Sequence, residues 1–255
     1  MKTVNTIWIS TTPRTGSMWI FNVTREIYKT LGFDVEPSLV PQNDSEMFEI
    51  YNNKAVNELN NNLRFILKIH TLLKPNLARS KIITTVRDPR DVCISFKEFM
   101  KANFNESLNA TKSLIHFSKI YNNFDKNYML ILKYENIEKN PIEIILKISK
   151  FLNENINHSQ AVEISKNFSK KNVNEIINKK NKELKEKIFN NSKIDKKEVV
   201  IISNQNVRAY DKSTGFQTGH VSQRNSGDWK KTLSSEEIEI INSQFKDFLI
   251  ENNYD

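Results

Sequence analysis

The chain has 255 residues, 38% of them hydrophobic, a length and apolar content able to bury one substantial α/β core. Its 38 basic and 30 acidic residues leave a formal charge of +8, which favours an anionic partner, although lysine, asparagine and isoleucine recur along the whole length and a general compositional bias accounts for much of that charge. Cys93 is the only cysteine, which excludes an internal disulfide and any multi-cysteine metal site, and no apolar run approaches the ~18 residues needed to cross a membrane.

In chain order, TIWIS (Thr6 to Ser10) is β-rich and apolar on both faces, as a central strand of a parallel sheet requires. After the loop that follows it, Ile20, Val23, Ile27 and Leu31 recur at helical spacing, and Gly32 stands where a helix C-terminal glycine belongs. Residues 37–62 are polar and broken, with one short helix expected around Met47 to Leu59. RFILKI (Arg64 to Ile69) and KIITTV (Lys81 to Val86) are expected to be buried strands. Asp88-Pro89 supplies an N-cap with proline at the first helical position, and Val92, Phe96 and Phe99 then form a stripe.

Farther on, YMLILKY (Tyr128 to Tyr134) is the next expected strand, and Asn140-Pro141 opens a helix with Ile144, Ile145, Ile148, Phe151 and Leu152 inward. Lys166 to Lys197 is dense in lysine and asparagine with acidic residues interleaved, the pattern of solvated helices and not of a nucleic-acid arm. Ser234 with Glu237 forms a capping box ahead of a last helix carrying Ile238, Ile241, Phe245 and Leu249. The alternation predicts an α/β fold: a doubly wound, mainly parallel central sheet with helices on both faces. No repeat or linker divides it, so residues 1–255 are expected to form a single domain. The first residues hold no apolar h-region with a cleavage site. With the cysteine usage this points to a soluble, cytoplasmic protein. In VCISF, Cys93 is expected to be a buried, inert thiol.

Four segments fall where an α/β sheet binds ligands, beyond the carboxyl ends of its strands. Pro13-Arg14-Thr15-Gly16-Ser17 joins a strand to a helix whose free N–H groups and dipole favour an anion, yet it lacks the earlier glycine and the lysine of a Walker A loop. It reads either as an anion cradle or as an ordinary turn. In VRDPRDVCISF, Arg87 and Ser95 could share one phosphate, or Asp88 could cap the helix while Arg87 pairs with a carboxylate. In LKIHTLLKP, Lys68 and His70 lie two apart and point the same way along a strand; the histidine is either structural or a general base. His116 and His158 have no comparable setting. GHVSQRNSGDWKK (Gly219 to Lys231) is a polar turn with an aromatic plug, or a flap over a nucleotide.

Taken together and in this order, the four segments resemble the nucleotide-dependent sulfotransferase family, which moves a sulfuryl group from 3′-phosphoadenosine 5′-phosphosulfate (PAPS) to an acceptor. Thr12 to Trp19, TPRTGSMW, looks like its 5′-phosphosulfate loop; Arg87-Asp88-Pro89-Arg90-Asp91 through Ser95 like its 3′-phosphate motif; Lys68-x-His70 like the segment with its general base; Gly227-Asp228-Trp229-Lys230 like its C-terminal signature. The stretch KYENIEKNPIEIILKISKFL, from Lys133, resembles its tyrosine-bearing strand and helix. The resemblance implies a P-loop NTPase-like sheet, PAPS as donor with PAP as product, and no metal. Segments 37–62 and 166–213 would be variable substrate or lid segments.

Carried over residue by residue, His70 would act as general base, Lys68 would stabilise the sulfuryl group, and Arg14 would bind the 5′ group and offset charge on the leaving oxygen. Thr15, Gly16, Ser17 and Met18 would complete the 5′ loop, Trp19 would stack on adenine with Tyr134 also facing the base, and Arg87 with Ser95 would grip the 3′-phosphate. Arg224, Asn225, Ser226 and Gly227 would come from the C-terminal signature. Three departures stand out. Arg14 occupies a position often held by lysine, Met18 replaces a hydroxyl residue, and Ser222-Gln223-Arg224 stands where Arg-Lys-Gly is expected. Arg208 and His220 are candidate substitutes for the missing 3′-phosphate contact. A carbohydrate, lipid or small-metabolite hydroxyl is the expected acceptor, with no nucleic-acid partner. Two alternatives stay open: a P-loop small-molecule kinase using magnesium and ATP, and a non-catalytic nucleotide- or RNA-binding protein.

Overall fold

The computed structural model describes residues 4–73, 80–203, 206–222 and 224–254. In chain order these form β1 (Thr6–Ser10), α1 (Ser17–Thr30), β2 (Asp34–Glu36), α2 (Asp44–Asn53), β3 (Leu63–Ile69), β4 (Ser80–Val86), α3 (Pro89–Met100), α4 (Phe104–Thr111) and α5 (Ser113–Tyr121). There follow β5 (Met129–Lys133), α6 (Tyr134–Lys139), α7 (Pro141–Leu152), α8 (His158–Asn167), α9 (Lys170–Phe189), β6 (Val199–Ser203), β7 (Asn206–Ala209), α10 (Trp229–Thr232), α11 (Ser235–Gln244) and α12 (Lys246–Glu251).

Five strands form one parallel sheet in the order β2-β3-β1-β4-β5, with helices on both faces. β1 is fully buried at the centre because every one of its residues meets core. From β1 the chain builds β2 and β3 on one side and then crosses from β3 to β4 on the other, so the topological switch point opens at the carboxyl end of β1. Ile20, Phe21, Val23 and Ile27 of α1 and Ile144, Ile145 and Ile148 of α7 share one core with the strands. Val92, Cys93, Ile94 and Phe96 of α3 join Ile241, Phe248 and Leu249 of α11 and α12 in a second. Cys93 is buried there, and burial pushes its thiol up to about 11, which leaves it unreactive.

Local rules explain most boundaries. Gly32 takes φ +83° just past α1 and donates to Lys29 O, while Phe33 N reaches back to Tyr28 O, closing the helix end. Asp88 caps α3 with Pro89 behind it, and Ser234 with Glu237 forms the capping box that opens α11.

Several expectations need correction. The strand expected from Tyr128 to Tyr134 is two residues shorter: Tyr128 N bonds Asp125 O in a turn, and Tyr134 is already the first residue of α6. The single last helix divides at Phe245, whose ring is buried between α11 and α12. His158 opens α8, capped by Asn157. The three-residue edge strand β2, helix α4 and the antiparallel β6-β7 hairpin carry too little periodicity to have been anticipated, whereas α5 contains His116, in a stretch that reads as helical. Lys74, Pro75 and Gln223 lie outside the described residues.

Candidate functional site

Register places the site. Ser10 pairs with Ile69 and Val86 pairs with Lys133, so the first residues beyond each strand lie side by side. Thr11 therefore abuts His70, and Arg87 abuts Tyr134. The Arg87 guanidinium lies 3.9 Å from the Tyr134 ring centroid.

These residues open onto a cavity of about 1300 Å³. Arg14, Gly16, Ser17, Met18, Trp19, Lys68, His70, Arg87, Tyr134 and Asn225 all line it. Of the expected site residues, Thr15, Ser95, Arg224, Ser226 and Gly227 sit behind that wall or at its rim.

The loop after β1 is held from beneath. Thr15 Oγ1 bonds Thr11 Oγ1 at 2.8 Å, Thr85 Oγ1 at 2.6 Å and Thr12 O at 2.7 Å, so its side chain faces the sheet and only its backbone is left for a ligand. Arg14 adopts φ +68° and Gly16 φ +92°, left-handed conformations that bend the chain into the start of α1. A Cβ on Gly16 would lie 3.0 Å from Tyr134 Cδ2, so glycine is what lets the loop lie against that ring. Asp and Glu are absent from the first turn of α1, which leaves its N-terminal dipole uncompensated.

Around this loop positive charge is not neutralised. Among the described residues neither Arg14 nor Arg87 has a carboxylate ion pair; Asp88 is taken by Arg90 at 2.9 Å. Arg87 Nη1 donates to Arg14 O at 2.9 Å, but Arg87 Nε and Thr12 Oγ1 are buried without a partner among the described residues. Orphaned donors beside a bare helix N-terminus fit an anion. Arg14 Nε donates to Ser95 Oγ at 2.9 Å, and its guanidinium lies 4.2 Å from the Phe99 ring centroid. Burial, followed by the Arg87 charge, brings Arg14 down to about 10, still protonated at neutral pH.

His70 has a defined tautomer. Its Nδ1 faces Thr11 O at 2.8 Å, a carbonyl that only accepts, so Nδ1 carries the proton and Nε2 keeps its lone pair. Lys68 Nζ sits 3.2 Å from Nε2. Burial, then the Lys68 charge, lowers His70 to about 4, so the imidazole is neutral and able to accept a proton at pH 7. Burial also lowers Lys68.

The two remaining segments meet each other. Asp91 accepts from Gly227 N at 2.8 Å and Trp229 N at 3.3 Å, and Glu138 accepts from Ser226 N at 2.9 Å and Ser226 Oγ at 2.6 Å. Burial raises Asp91 to about 6 despite those bonds. The guanidinium of Arg224 is engaged by Glu98 at 2.6 Å, one turn beyond Ser95 on α3. Met18 packs toward Gly215 and against the cluster of Val173, Ile177 and Phe216. Trp19 is half-buried against the main core while also lining the cavity.

Phe99 and His220 meet in the cavity wall beside Arg14, a juxtaposition that no local spacing in the chain announces. The Phe99 ring, read only as part of a helix stripe, carries Arg14 at 4.2 Å, Arg208 at 4.1 Å and a stacked His220 at 5.6 Å. His220 Nδ1 accepts from Gln217 N at 3.1 Å, which places its proton on Nε2. Turning the Gln217 amide to present its otherwise orphaned Oε1 to that proton satisfies both groups.

A parallel α/β sheet whose switch point carries a bent loop, a bare helix N-terminus and, among the described residues, arginines without a carboxylate partner has the P-loop-like fold, with a site whose chemistry fits an anion. The chain belongs to the sulfotransferase domain family, which matches residues 5–252. Luciferin sulfotransferase of Photinus pyralis is 29% identical over 105 residues, 36% of this chain and 28% of that protein's length. Among solved structures, retinol dehydratase in a complex with retinol and PAP superposes with a TM-score of 0.59 at 16% identity, covering 98% of this chain and 82% of that one. Mouse sulfotransferase SULT7A1 complexed with PAP gives 0.58 at 17% identity, covering 96% and 84%.

Proposed function

We propose that the chain is a PAPS-dependent sulfotransferase acting on a hydroxyl or amine of a small acceptor. The observation that carries this reading is the neutral His70, its Nε2 lone pair facing the same cavity as Lys68, Arg14 and the N-terminus of α1. PAPS, when bound, supplies an activated sulfuryl group and a bridging oxygen that takes negative charge as its bond to sulfur breaks. The N–H groups of Gly16 and Ser17, with Arg14, receive the 5′ group; Arg87 and Ser95 receive the 3′-phosphate; Trp19 and Tyr134 flank the base. That PAP is held by the retinol dehydratase and SULT7A1 structures supports PAPS as the donor.

Lys68 has two tasks in this scheme. While it donates to Nε2 it occupies the lone pair of the base; turning to the sulfuryl oxygens, it releases Nε2 for the acceptor proton. The acceptor oxygen bonds to sulfur, its proton passes to His70 Nε2, and PAP leaves. Arg14 keeps its charge throughout, so it offsets developing charge and does not donate a proton. Positioning and charge carry the step, as in phosphoryl transfer.

Phe96, Phe99, Met100, Phe168, Val173 and Phe216 make much of the remaining wall apolar. This favours an apolar alcohol or phenol over a carbohydrate as acceptor; retinol and androsterone are what the retinol dehydratase structures hold. Incubation with PAPS and a panel of alcohols, phenols, amines and sugars is expected to release PAP, most readily with the apolar hydroxyls. Absence of PAPS and PAP binding by calorimetry sinks the reading. Magnesium-dependent ATP turnover would instead establish a kinase, and RNA binding indifferent to PAP a nucleic-acid role.

A further inference from the structure

We propose that Asp44 is a positioning residue for the sulfuryl-transfer step, setting the orientation of His70 and the charge balance of the Lys68-His70 pair. The inference rests on the sulfotransferase reading above. Asp44 belongs to the polar excursion between β2 and β3, where nothing in the sequence pattern marks it, and it opens α2 directly after the Asn43 cap. Its carboxylate nevertheless reaches the catalytic strand end. Asp44 Oδ2 accepts from His70 N at 2.9 Å and from Thr71 Oγ1 at 2.6 Å.

His70 is thus held at two points. Thr11 O fixes the ring through Nδ1 at 2.8 Å, and Asp44 fixes the backbone just past β3, where the sheet ladder no longer does so. The groups facing the imidazole are Lys68 from β3, Arg14 and Thr11 O from the loop after β1, His220 from the C-terminal stretch, and Asp44 from α2. Asp44 supplies the negative charge in that set, and its field raises both Lys68 and His70 against burial. Without it, Lys68 would lose its proton more readily and hold less charge for the sulfuryl oxygens.

The excursion bearing Asp44 is itself tied to the acceptor side of the cavity. Pro41 and Gln42 line the wall, Gln42 Nε2 donates to Val199 O at 3.1 Å, and Tyr210 Oη donates to Val40 O at 3.1 Å. Asp44 therefore links the segment that meets the acceptor to the base that deprotonates it.

Asp44→Asn tests the charge, because the amide oxygen can still accept from His70 N–H. We expect PAP affinity within about twofold of the parent, kcat lower by about tenfold, and both limbs of the kcat/KM pH profile, from His70 and Lys68, displaced to lower pH. Thr71→Val, which keeps the carboxylate and its bond to His70 N–H, should leave the profile in place. Asp44→Glu, retaining the charge, should move the limbs back toward parental positions, and it serves as the readout if Asp44→Asn fails to fold. A parental profile in Asp44→Asn, or a slower enzyme with unmoved limbs, overturns the proposal. Nitrogen-15 NMR of the His70 imidazole keeps the two readings separable. If the parent chain transfers no sulfuryl group, the functional reading falls, and a His70 midpoint unchanged by Asp44→Asn separately overturns the role of Asp44.

Discussion

Arg14 Nε donates to Ser95 Oγ at 2.9 Å, joining a residue of the 5′ loop to one assigned to the 3′-phosphate. The bond also pulls Arg14 over Phe99, 4.2 Å away, in the wall of the cavity. Under the proposed reading, nucleotide binding exchanges it for two separate anion contacts. Ser95→Ala deletes a hydroxyl from the phosphate site and frees Arg14 at the same time. A charge-assisted hydrogen bond is worth about 1.5–3 kcal/mol, and part of that is recovered through the freed arginine. PAP affinity measured by calorimetry is expected to fall about tenfold, and an unchanged affinity would remove Ser95 from the site.

His70→Ala separates catalysis from binding. General-base catalysis contributes about 10²–10⁴-fold, so turnover should drop within that range while PAP still binds with near-parental affinity. Loss of both together would make His70 a structural residue.

The pH dependence has a definite sign. Folded His70 titrates near 4 and an unfolded histidine near 6.5, so unfolding takes up a proton as pH falls through that interval. The stability this group contributes is complete above 6.5 and is lost as pH falls toward the lowered folded value. Urea denaturation of His70→Gln, compared with the parent at pH 7 and pH 4.5, should show a smaller loss in the variant. In the proposed mechanism the same property keeps His70 neutral as the base, so the acid limb of kcat/KM should lie nearer 4 than 6.5, and a limb near 6.5 would contradict the burial of the imidazole.

Gly16→Ala should act on fold and site together. Its φ of +92° costs a side chain roughly 1–2 kcal/mol, and the new methyl would press on Tyr134 Cδ2 at 3.0 Å. A lower Tm and weakened PAP binding are expected, whereas a parental Tm would mean that the loop does not hold this bend.

The central strands, the caps at Asp88 and Ser234, and the order of the four ligand-facing segments were legible because each is written in a few adjacent residues. TIWIS announces β1 by composition, and Asp88-Pro89 announces the start of α3. Short or weakly periodic elements were not: β2 has three residues, and the β6-β7 hairpin takes its place from packing against α9 and not from a pattern of its own. The carboxylate partners also escaped notice. Asp91 and Glu138 hold the backbone of Ser226, Gly227 and Trp229, joining motifs that are far apart in the chain.

By itself the sequence determined which residue types stand at the ends of the strands, since local spacing and loop chemistry are properties of neighbours in the chain. Tertiary structure alone decided what those residues do to one another. Parallel register sets Thr11 beside His70 and fixes its tautomer; packing of the excursion brings Asp44 to the same histidine; and the C-terminal stretch lays His220 on Phe99. Such contacts depend on distances set by the whole core, and no periodicity in the chain encodes them.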